Sequence, residues 1–279
     1  MMGYMRKKLI SKIVLTILMV ALSITMLIPF AWMLSASFKP ENQIFDVPVS
    51  WFPKTPIFKN YVAVWNSTVP FYIFFLNSIK VSTLCVIGEV VTSALAAYAF
   101  AKIEFRAKEF IFWVYVATLV FPLQMMLIPR FVLFRLTHLY NTHWALILPG
   151  MFTAFGTFML RQFFQTIPDE LSQAAKIDGA HHFMIFRKII IPLALPAFSA
   201  LIIFQFVTSW NDYVSPLVYL RSESLATIPL GLKFFQDENS VSYGAVMAAS
   251  VCSLIPIFAV FLAFQRQFVA GIAMSGIKQ

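Results

Sequence analysis

The sequence predicts an all-α transmembrane protein, and three observations lead to that fold class. Apolar residues make up 60% of the 279-residue chain and charged residues 12%, which is about half the charged share of a soluble domain. The apolar residues are gathered in six runs of about the length that a helix needs to cross a bilayer. The basic residues lie at the ends of these runs and form no soluble basic module of the kind that binds nucleic acid.

The six runs define the spans of an expected single transmembrane domain, residues 1–279. The first run ends at Ser35-Ala36-Ser37, which resembles a signal-peptidase site. Its uncharged stretch of 22 residues is nevertheless long for a signal peptide and indicates an uncleaved span. Pro122 is expected to kink the third span. The expected spans are 13–34, 71–101, 110–129, 144–160, 189–211 and 244–264.

The distribution of lysine and arginine predicts how these spans are oriented. Six spans place both termini on one side of the membrane. That side carries 13 Lys and Arg residues, whereas the other side carries seven. Because basic loops stay in the cytoplasm, both termini are expected there, and residues 38–70 are expected to form an external loop with aromatic residues at the membrane interface.

Residues 166–191, here called the docking segment, differ from their apolar surroundings because they are charged and favour a helix. Thr166, with Asp169 three residues later, is a helix-start pattern, and Gly179 can take the left-handed conformation that ends a helix. A helix over residues 166–177 would be about 18 Å long, which is too short and too charged to cross a bilayer. We therefore expect the docking segment to lie outside the membrane.

The expected helix has one face suited to contact with another protein. Leu171, Ala174, Ala175 and Asp178 share this face at spacings of three and four residues. The two alanines allow another surface to approach closely, and the bend at Gly179 directs the chain back to the fifth span. These features predict a docking element. The alternative is an ordinary amphipathic loop helix.

The sequence LSQAAKIDGAHHFMIFRKIIIPLALP resembles the cytoplasmic Glu-Ala-Ala loop of binding-protein-dependent ABC transporter permeases. In that family the loop forms a coupling helix that lies in a groove of the ATPase subunit. Gln173 stands where the family usually has Glu, so it keeps the hydrogen-bonding reach but loses the charge, which Glu170 could supply one turn earlier. The residues that the resemblance assigns to ATPase coupling are Glu170, Gln173, Ala174, Ala175, Asp178 and Gly179.

Further segments resemble the maltose-type carbohydrate permease subfamily. They are TFMLRQFFQTIPDEL, SWNDYVSPLVYL, TIPLGL and QRQFVAGIAMSGIK. The resemblance as a whole extends from about Ile13 to Lys278. It implies a six-helix ABC importer permease fold in a bacterial or archaeal cytoplasmic membrane. It also implies a second homologous permease, two ATP-binding subunits and an external solute-binding protein that delivers a sugar. The resemblance further implies that Ser275 to Gln279 contact the ATPase.

Polar residues inside the apolar runs are candidates for the translocation path. Glu89 lies deep in the second span, where a carboxyl group needs a buried partner, and a role in the path or between subunits competes with a purely structural role. Lys80 lies nearer the outer end of the same span and can extend its ammonium group to the interface. The cluster Trp210, Asn211 and Asp212 suits sugar hydroxyls and ring faces, or else it anchors the fifth span in the interface.

The sequence contains no pattern for catalysis, for a metal site or for ATP binding of its own. No Gly is followed by Lys, so the phosphate-binding loop GxxxxGK[ST] is absent, and we expect ATP and magnesium only in the partner ATPase. Cys85 and Cys252 lie in apolar runs and lack metal-ligand spacing. The sequence therefore predicts a transport subunit without a cofactor. The alternatives, a secondary carrier and a membrane-embedded enzyme, would both work without an ATPase.

Overall fold

The computed structural model of the protein describes residues 2–53, 55–67, 69–237 and 240–276. These residues form helices and one short antiparallel pair of strands, β1 (Gln236–Asp237) and β2 (Ser240–Val241). The α-helices are α1 (Met2–Ser37), α2 (Glu41–Ile44), α3 (Lys59–Trp65), α4 (Phe71–Lys102), α5 (Lys108–Ala117), α6 (Leu123–Leu136), α7 (Trp144–Met151), α8 (Ala154–Gln165), α9 (Asp169–Ile177), α10 (His182–Ile185), α11 (Ile191–Leu193), α12 (Leu195–Trp210), α13 (Val214–Tyr219), α14 (Ile228–Gly231) and α15 (Tyr243–Gly276). The described residues also form three 3-10 segments, Thr118–Val120, Glu223–Leu225 and Leu232–Phe235. One further segment, Phe186–Ile190, is π-helical.

The described helices include the six apolar elements that the sequence predicts. Four stretches are long and apolar enough to cross a membrane, namely Leu9–Ser37, Phe71–Lys102, Trp144–Gln165 and Tyr243–Val269. Two bent pairs reach that length together, namely Lys108–Val120 with Leu123–Leu136 and His182–Leu193 with Leu195–Trp210. Counting each bent pair as one span gives six, and the all-α transmembrane fold class is confirmed.

The third expected span, 110–129, is divided at Pro122. α5 continues into a 3-10 segment, and Pro122 then takes an extended conformation as the residue that precedes α6. The two parts meet at an angle of 97°. Proline has no N–H to continue a helix and disfavours the helical conformation of the residue before it, so the kink expected here is a full break.

The fifth expected span, 189–211, is divided at Ala194. α11 ends at Leu193 and α12 begins at Leu195, and the helical stretches before and after Ala194 meet at 77°. Pro196 lies in the first turn of α12, where its missing N–H leaves no hydrogen bond unmade. The proline thus favours a fresh helix start at this position.

The described residues divide into two compact units. One comprises Met1–Thr68 and Phe234–Cys252, and the other comprises Val69–Lys233 and Ser253–Gln279. In the first unit, the Asn60 side chain donates hydrogen bonds to the carbonyl oxygens of Ser37 and Lys39, both at 2.9 Å. Glu41 Oε1 accepts a hydrogen bond from the N–H of Gly244 at 2.8 Å, and thus caps the start of α15 with a negative charge. Whether the chain forms a single domain stays a prediction.

α4 is the central helix of the second unit. It packs against α7, α8 and α12. A cluster of buried side chains lies between α4, α8, α12 and the docking segment, and it includes Tyr98, Phe164 and Ile185. A Cβ atom at Gly88 would lie 2.2 Å from Cγ of Met151, so the glycine permits the close approach of α4 and α7. The docking segment is therefore attached to the same core as the apolar helices.

Candidate functional site

The helix of the docking segment begins three residues later than expected. α9 starts at Asp169, and Pro168 precedes it with φ −56° and ψ 135°. Thr166 ends α8 instead, and its hydroxyl donates a hydrogen bond to the carbonyl oxygen of Phe163 at 2.8 Å. The prediction that Thr166 caps α9 is therefore wrong, because α8 extends to Gln165 and the hydroxyl bonds backward to it.

α9 ends just before Gly179, as the sequence predicts. Gly179 has φ +83°, in the left-handed region. Its N–H donates to the carbonyl oxygen of Lys176 at 3.0 Å, and the N–H of Ala180 donates to that of Ala175 at 2.8 Å. This pair of bonds is a Schellman motif, which satisfies the last carbonyl groups of a helix and reverses the chain. A Cβ atom at Gly179 would have no atom within 4 Å, so the turn borders open space.

Most of the residues assigned to ATPase coupling lie on one exposed surface. Two apolar neighbours are exposed as well, Ile177 by 87% and Leu171 by 44%. Ala175 differs, because it is half-buried and packs against the core cluster of the second unit instead of facing outward. Here the docking surface denotes the exposed residues Glu170, Leu171, Gln173, Ala174, Ile177, Asp178 and Gly179.

Two side chains of α4 bind the docking segment on either side of α9, and the sequence analysis did not single them out. Lys102 Nζ contacts the carboxylate of Asp169 and the carbonyl oxygen of Ile167, each at 2.6 Å. The Tyr98 hydroxyl donates to the carbonyl oxygen of His182 at 3.0 Å. The only signal in the sequence is position, because a Tyr and a Lys one turn apart end the second apolar run.

Arg161 lies beside this attachment, where the sequence predicts only the end of the fourth span. Its guanidinium group contacts Glu109 Oε1 at 2.5 Å, and its Nε donates to the carbonyl oxygen of Phe100 at 3.3 Å. The guanidinium carbon is 3.8 Å from the centroid of the Phe112 ring, within the range of a cation–π contact. The Arg161 side chain is 5% exposed, so it joins α4, α5 and α8 from inside the fold.

Glu89 is buried at a break between two helices. α7 ends at Met151 and α8 begins at Ala154, with Thr153 as its N-cap residue. The Thr153 hydroxyl donates a hydrogen bond to Glu89 Oε1 and accepts one from the N–H of Gly156 at 3.0 Å. The carboxyl group therefore lies at the start of α8, where the helix dipole favours negative charge.

A second side chain of α4 binds the other side of the same break. The Thr92 hydroxyl donates to the carbonyl oxygen of Met151 at 2.5 Å. A Cβ atom at Gly156 would lie 2.8 Å from Glu89 Oε1, so only glycine permits this approach. Within a membrane, backbone groups freed by a helix break need partners inside the protein. Thr92 binds the Met151 carbonyl group, and Glu89 binds the Thr153 hydroxyl that in turn accepts from the Gly156 N–H. No partner for Glu89 Oε2 occurs in the described part of the chain.

The cluster at the end of α12 is divided between buried and exposed positions. Trp210 is 2% exposed, and its indole N–H donates to the carbonyl oxygen of Ser253 at 3.1 Å. Asn211 is exposed at the end of α12. Asp212 is half-exposed and accepts a hydrogen bond from the N–H of Ser215 at 3.1 Å, near the start of α13. Within the described residues, no hydrogen bond joins Glu89 to this cluster.

A pocket of about 310 Å³ lies beside α4. Lys80, His143 and Trp144 contribute to its lining, and Lys80 makes no ion pair with the residues that the structure describes. His143 Nε2 is 2.9 Å from the carbonyl oxygen of Leu225. No three His, Cys, Asp or Glu side chains in the described ranges lie close enough together to hold a metal ion.

We expect Glu89→Gln to preserve the break between α7 and α8, since a glutamine oxygen can still accept the hydrogen bond of Thr153. Glu89→Ala should lower the free energy of unfolding by about 2–3 kcal/mol, because it leaves a cavity and an unpaired buried hydroxyl. Denaturant titration in detergent micelles measures both variants. A Glu89→Gln variant that keeps its stability but loses transport would contradict the structural role and assign Glu89 to the translocation path.

Comparison with known proteins identifies relatives of this chain and a solved structure with a similar fold. The arabinooligosaccharides transport system permease protein AraQ of Halalkalibacterium halodurans is 32% identical over 252 residues, 90% of this chain and 90% of the relative. The sn-glycerol-3-phosphate transport system permease protein UgpE of Salmonella typhi is 33% identical over 242 residues, 84% of this chain and 86% of the relative. A chain of the crystal structure of a bacterial ABC transporter that imports the acidic polysaccharide alginate superposes with a TM-score of 0.81 at 24% identity, covering 93% of this chain and 96% of that chain.

These similarities confirm the resemblance to binding-protein-dependent ABC transporter permeases that the sequence of the docking segment and its neighbouring segments indicates. Both relatives are transport permeases, in agreement with a transport subunit and not an enzyme. The alginate transporter chain shares the fold. The model of one family matches residues 90–274, which include the docking segment and the apolar helices around it. The chain therefore belongs to the family of binding-protein-dependent transport system inner membrane components.

Proposed function

We propose that the chain is one permease subunit of an ATP-driven importer for a sugar or a sugar-like solute. The observation that carries the proposal is the docking surface, a short charged helix exposed on a core of apolar helices in a chain of this family. The relative from Halalkalibacterium halodurans is named for arabinooligosaccharides, and the related structure belongs to an alginate importer. Their names support a carbohydrate as the transported solute.

The docking surface suits a groove on an ATPase subunit. The exposed side chains of Leu171 and Ile177 supply apolar area that contact with a partner would remove from water. Glu170 and Asp178 add negative charge at the two ends of α9. Exposed ion pairs contribute about 0–1 kcal/mol each, so we assign the binding energy to the apolar contact and the orientation to the charges. Gln173 contributes a hydrogen bond and no charge.

Energy for transport comes from partner chains in this proposal. The sequence contains no phosphate-binding loop, so ATP and magnesium bind to two ATP-binding subunits and not to this chain. A second homologous permease completes the path, and a solute-binding protein outside the cytoplasmic membrane delivers the sugar. The family description, which names a binding protein, supports the latter partner. Both termini lie in the cytoplasm. The proposed contact of Ser275 to Gln279 with the ATPase reaches residues 277–279, which lie outside the described residues.

The candidates for the translocation path take two roles in this proposal. Asn211 and Asp212 are at least partly exposed at the end of α12, where they can contact a hydroxyl-rich solute. Trp210 and Glu89 are buried and bind helices of the same chain, so they support the wall of the path. A secondary carrier needs a carboxyl group for ion coupling. Glu89 is buried and accepts a hydrogen bond from Thr153 of its own chain, which favours a structural role over ion coupling.

The test is ATP-dependent uptake of labelled sugar into proteoliposomes that contain the purified complex. The chain is co-expressed with candidate partner permease and ATP-binding subunits, and the solute-binding protein is added outside with each sugar. We expect uptake only with ATP inside and binding protein outside. A complex whose ATPase lacks its catalytic carboxylate is the control. Uptake by this chain alone without ATP would overturn the proposal in favour of a carrier.

A further inference from the structure

We infer that Tyr98 and Lys102 are positioning residues that transmit the movement of α9 to the apolar helices. The inference rests on the proposed function, because it requires an ATPase subunit to bind the docking surface. It goes beyond that function by assigning the transmission to two named contacts of α4, neither of which belongs to the docking surface. The structure places one contact at the start of α9 and the other shortly after its end.

Lys102 binds the chain where it enters α9. Its ammonium group contacts the carbonyl oxygen of Ile167 and the carboxylate of Asp169, the first residue of α9. The Lys102 side chain is 4% exposed, whereas that of Asp169 is 71% exposed. A buried ammonium group needs acceptors, because burying a charge without partners is costly. The position of Lys102 is therefore tied to the start of the docking helix.

Tyr98 binds the chain where it leaves the same helix. Its hydroxyl donates to the carbonyl oxygen of His182, the first residue of α10, and lies 3.3 Å from Nδ1 of the same histidine. Its ring packs against Phe186, with the two centroids 5.0 Å apart. Tyr98 is 6% exposed, so the contact is part of the core and not a surface bond.

The two contacts together restrict α9 more than either would alone. Tyr98 and Lys102 are four residues apart and share one face of α4. A single contact would act as a pivot, whereas one contact at the start of α9 and another after its end resist rotation as well as displacement relative to α4. α4 itself has 32 residues, about 48 Å of continuous helix, which exceeds the thickness of the hydrocarbon core. A displacement of α9 therefore moves α4 through the membrane, with α7, α8 and α12 packed against it.

A distance measurement tests whether α9 and α4 move as one body. Spin labels replace Lys176, exposed on α9 outside the docking surface, and Leu95, exposed on α4, in a complex whose Cys85 and Cys252 are replaced by alanine. Electron–electron resonance compares the nucleotide-free complex with the complex trapped with ATP. We expect an unchanged distance in the otherwise intact chain and a changed or broadened distance when Tyr98→Phe and Lys102→Met are introduced.

A transport assay tests the same two residues through coupling. In the reconstituted complex, Tyr98→Phe with Lys102→Met should leave capture of the ATPase unchanged. The number of sugar molecules imported per ATP hydrolysed should fall by about five-fold or more, the range of ordinary coupling between sites. Lys102→Arg keeps the cation and should retain most of the ratio. The single Tyr98→Phe variant removes one hydroxyl and keeps the ring packing, so it should fold even if the double variant does not.

Two control variants remove the same groups elsewhere. Lys108→Met breaks an ion pair with Glu104, whose side chain is 88% exposed, and Tyr115→Phe removes a hydroxyl outside the docking segment. Both should leave the ratio of sugar to ATP unchanged. A nucleotide-dependent distance in the intact chain, or an unchanged ratio in the Tyr98 and Lys102 variants, overturns the inference while the proposed function stands. Failure of the intact chain to capture an ATPase overturns the proposed function itself.

Discussion

Replacing Gly179 with Asp is expected to abolish capture of the ATPase subunit. Gly179 has a left-handed conformation, which Asp tolerates better than most residues, so the turn should still form. The new side chain enters the open space beside the docking surface, where the ATPase is proposed to bind. A bulky charge in that interface should weaken binding by roughly 100-fold, the effect of losing a central contact. Co-purification with the ATPase subunit and ATP-driven uptake measure the loss.

The matched control for Gly179→Asp is Ala107→Asp. Ala107 is also exposed and left-handed, with φ +62°, but it precedes α5 and lies outside the docking surface. The substitution therefore adds the same charge at the same kind of backbone position, where it also favours the start of a helix. Capture of the ATPase should persist. If both variants lose capture of the ATPase subunit equally, or if neither loses it, the assignment of the docking surface is contradicted.

Arg161→Met is expected to lower the free energy of unfolding by about 3–4 kcal/mol. The substitution removes a desolvated cation–π contact with Phe112, worth about 2 kcal/mol, and a charged hydrogen bond to the carbonyl group of Phe100, worth about 1.5 kcal/mol. The ion pair with Glu109 adds less, because Glu109 is 56% exposed and water screens it. Methionine keeps the apolar volume, so the loss reports the guanidinium group. Denaturant titration in micelles, followed by tryptophan fluorescence, measures it.

Two further variants interpret the Arg161 result. Lys108→Met removes an ion pair with Glu104, whose side chain is 88% exposed, and should lower the free energy of unfolding by at most about 1 kcal/mol. Arg161→Lys keeps the charge but loses the planar group that stacks on the ring, so an intermediate loss is expected. If Arg161→Met lowers the free energy of unfolding no more than Lys108→Met does, the buried Arg161 side chain does not stabilise the junction of α4, α5 and α8.

The sequence determined the fold class and the existence of the docking segment. Six apolar runs predict six membrane elements, because only helices satisfy every backbone group within a bilayer in this composition. Gly179 predicts the end of α9, because a reversal of that kind needs a residue that accepts a positive φ. Both predictions depend on local properties of the chain, and local properties can be read from a single sequence. The docking role itself stays a prediction.

The positions at which helices start and break were harder to predict from the sequence. Thr166 and Pro168 both favour the start of a helix, and the sequence does not reveal that α8 extends far enough to bind the Thr166 hydroxyl. The break at Thr153 lies inside an uncharged run of 17 residues, 144–160. Its polar groups are satisfied by Glu89 and Thr92, more than 55 residues earlier in the chain. Such a break is stable only because α4 packs beside it.

Only the tertiary structure decided how these parts are connected. Glu89 needs a partner by its chemistry, but the identity of that partner, Thr153, depends on which helices pack against α4. In the sequence, Lys102 looks like an ordinary basic residue at a membrane boundary. In the structure its side chain is buried and contacts Asp169 of the docking segment. Composition and periodicity report whether a residue prefers water, apolar surroundings or a turn. Contacts between residues distant in sequence are set by packing, and they attach the docking segment to α4.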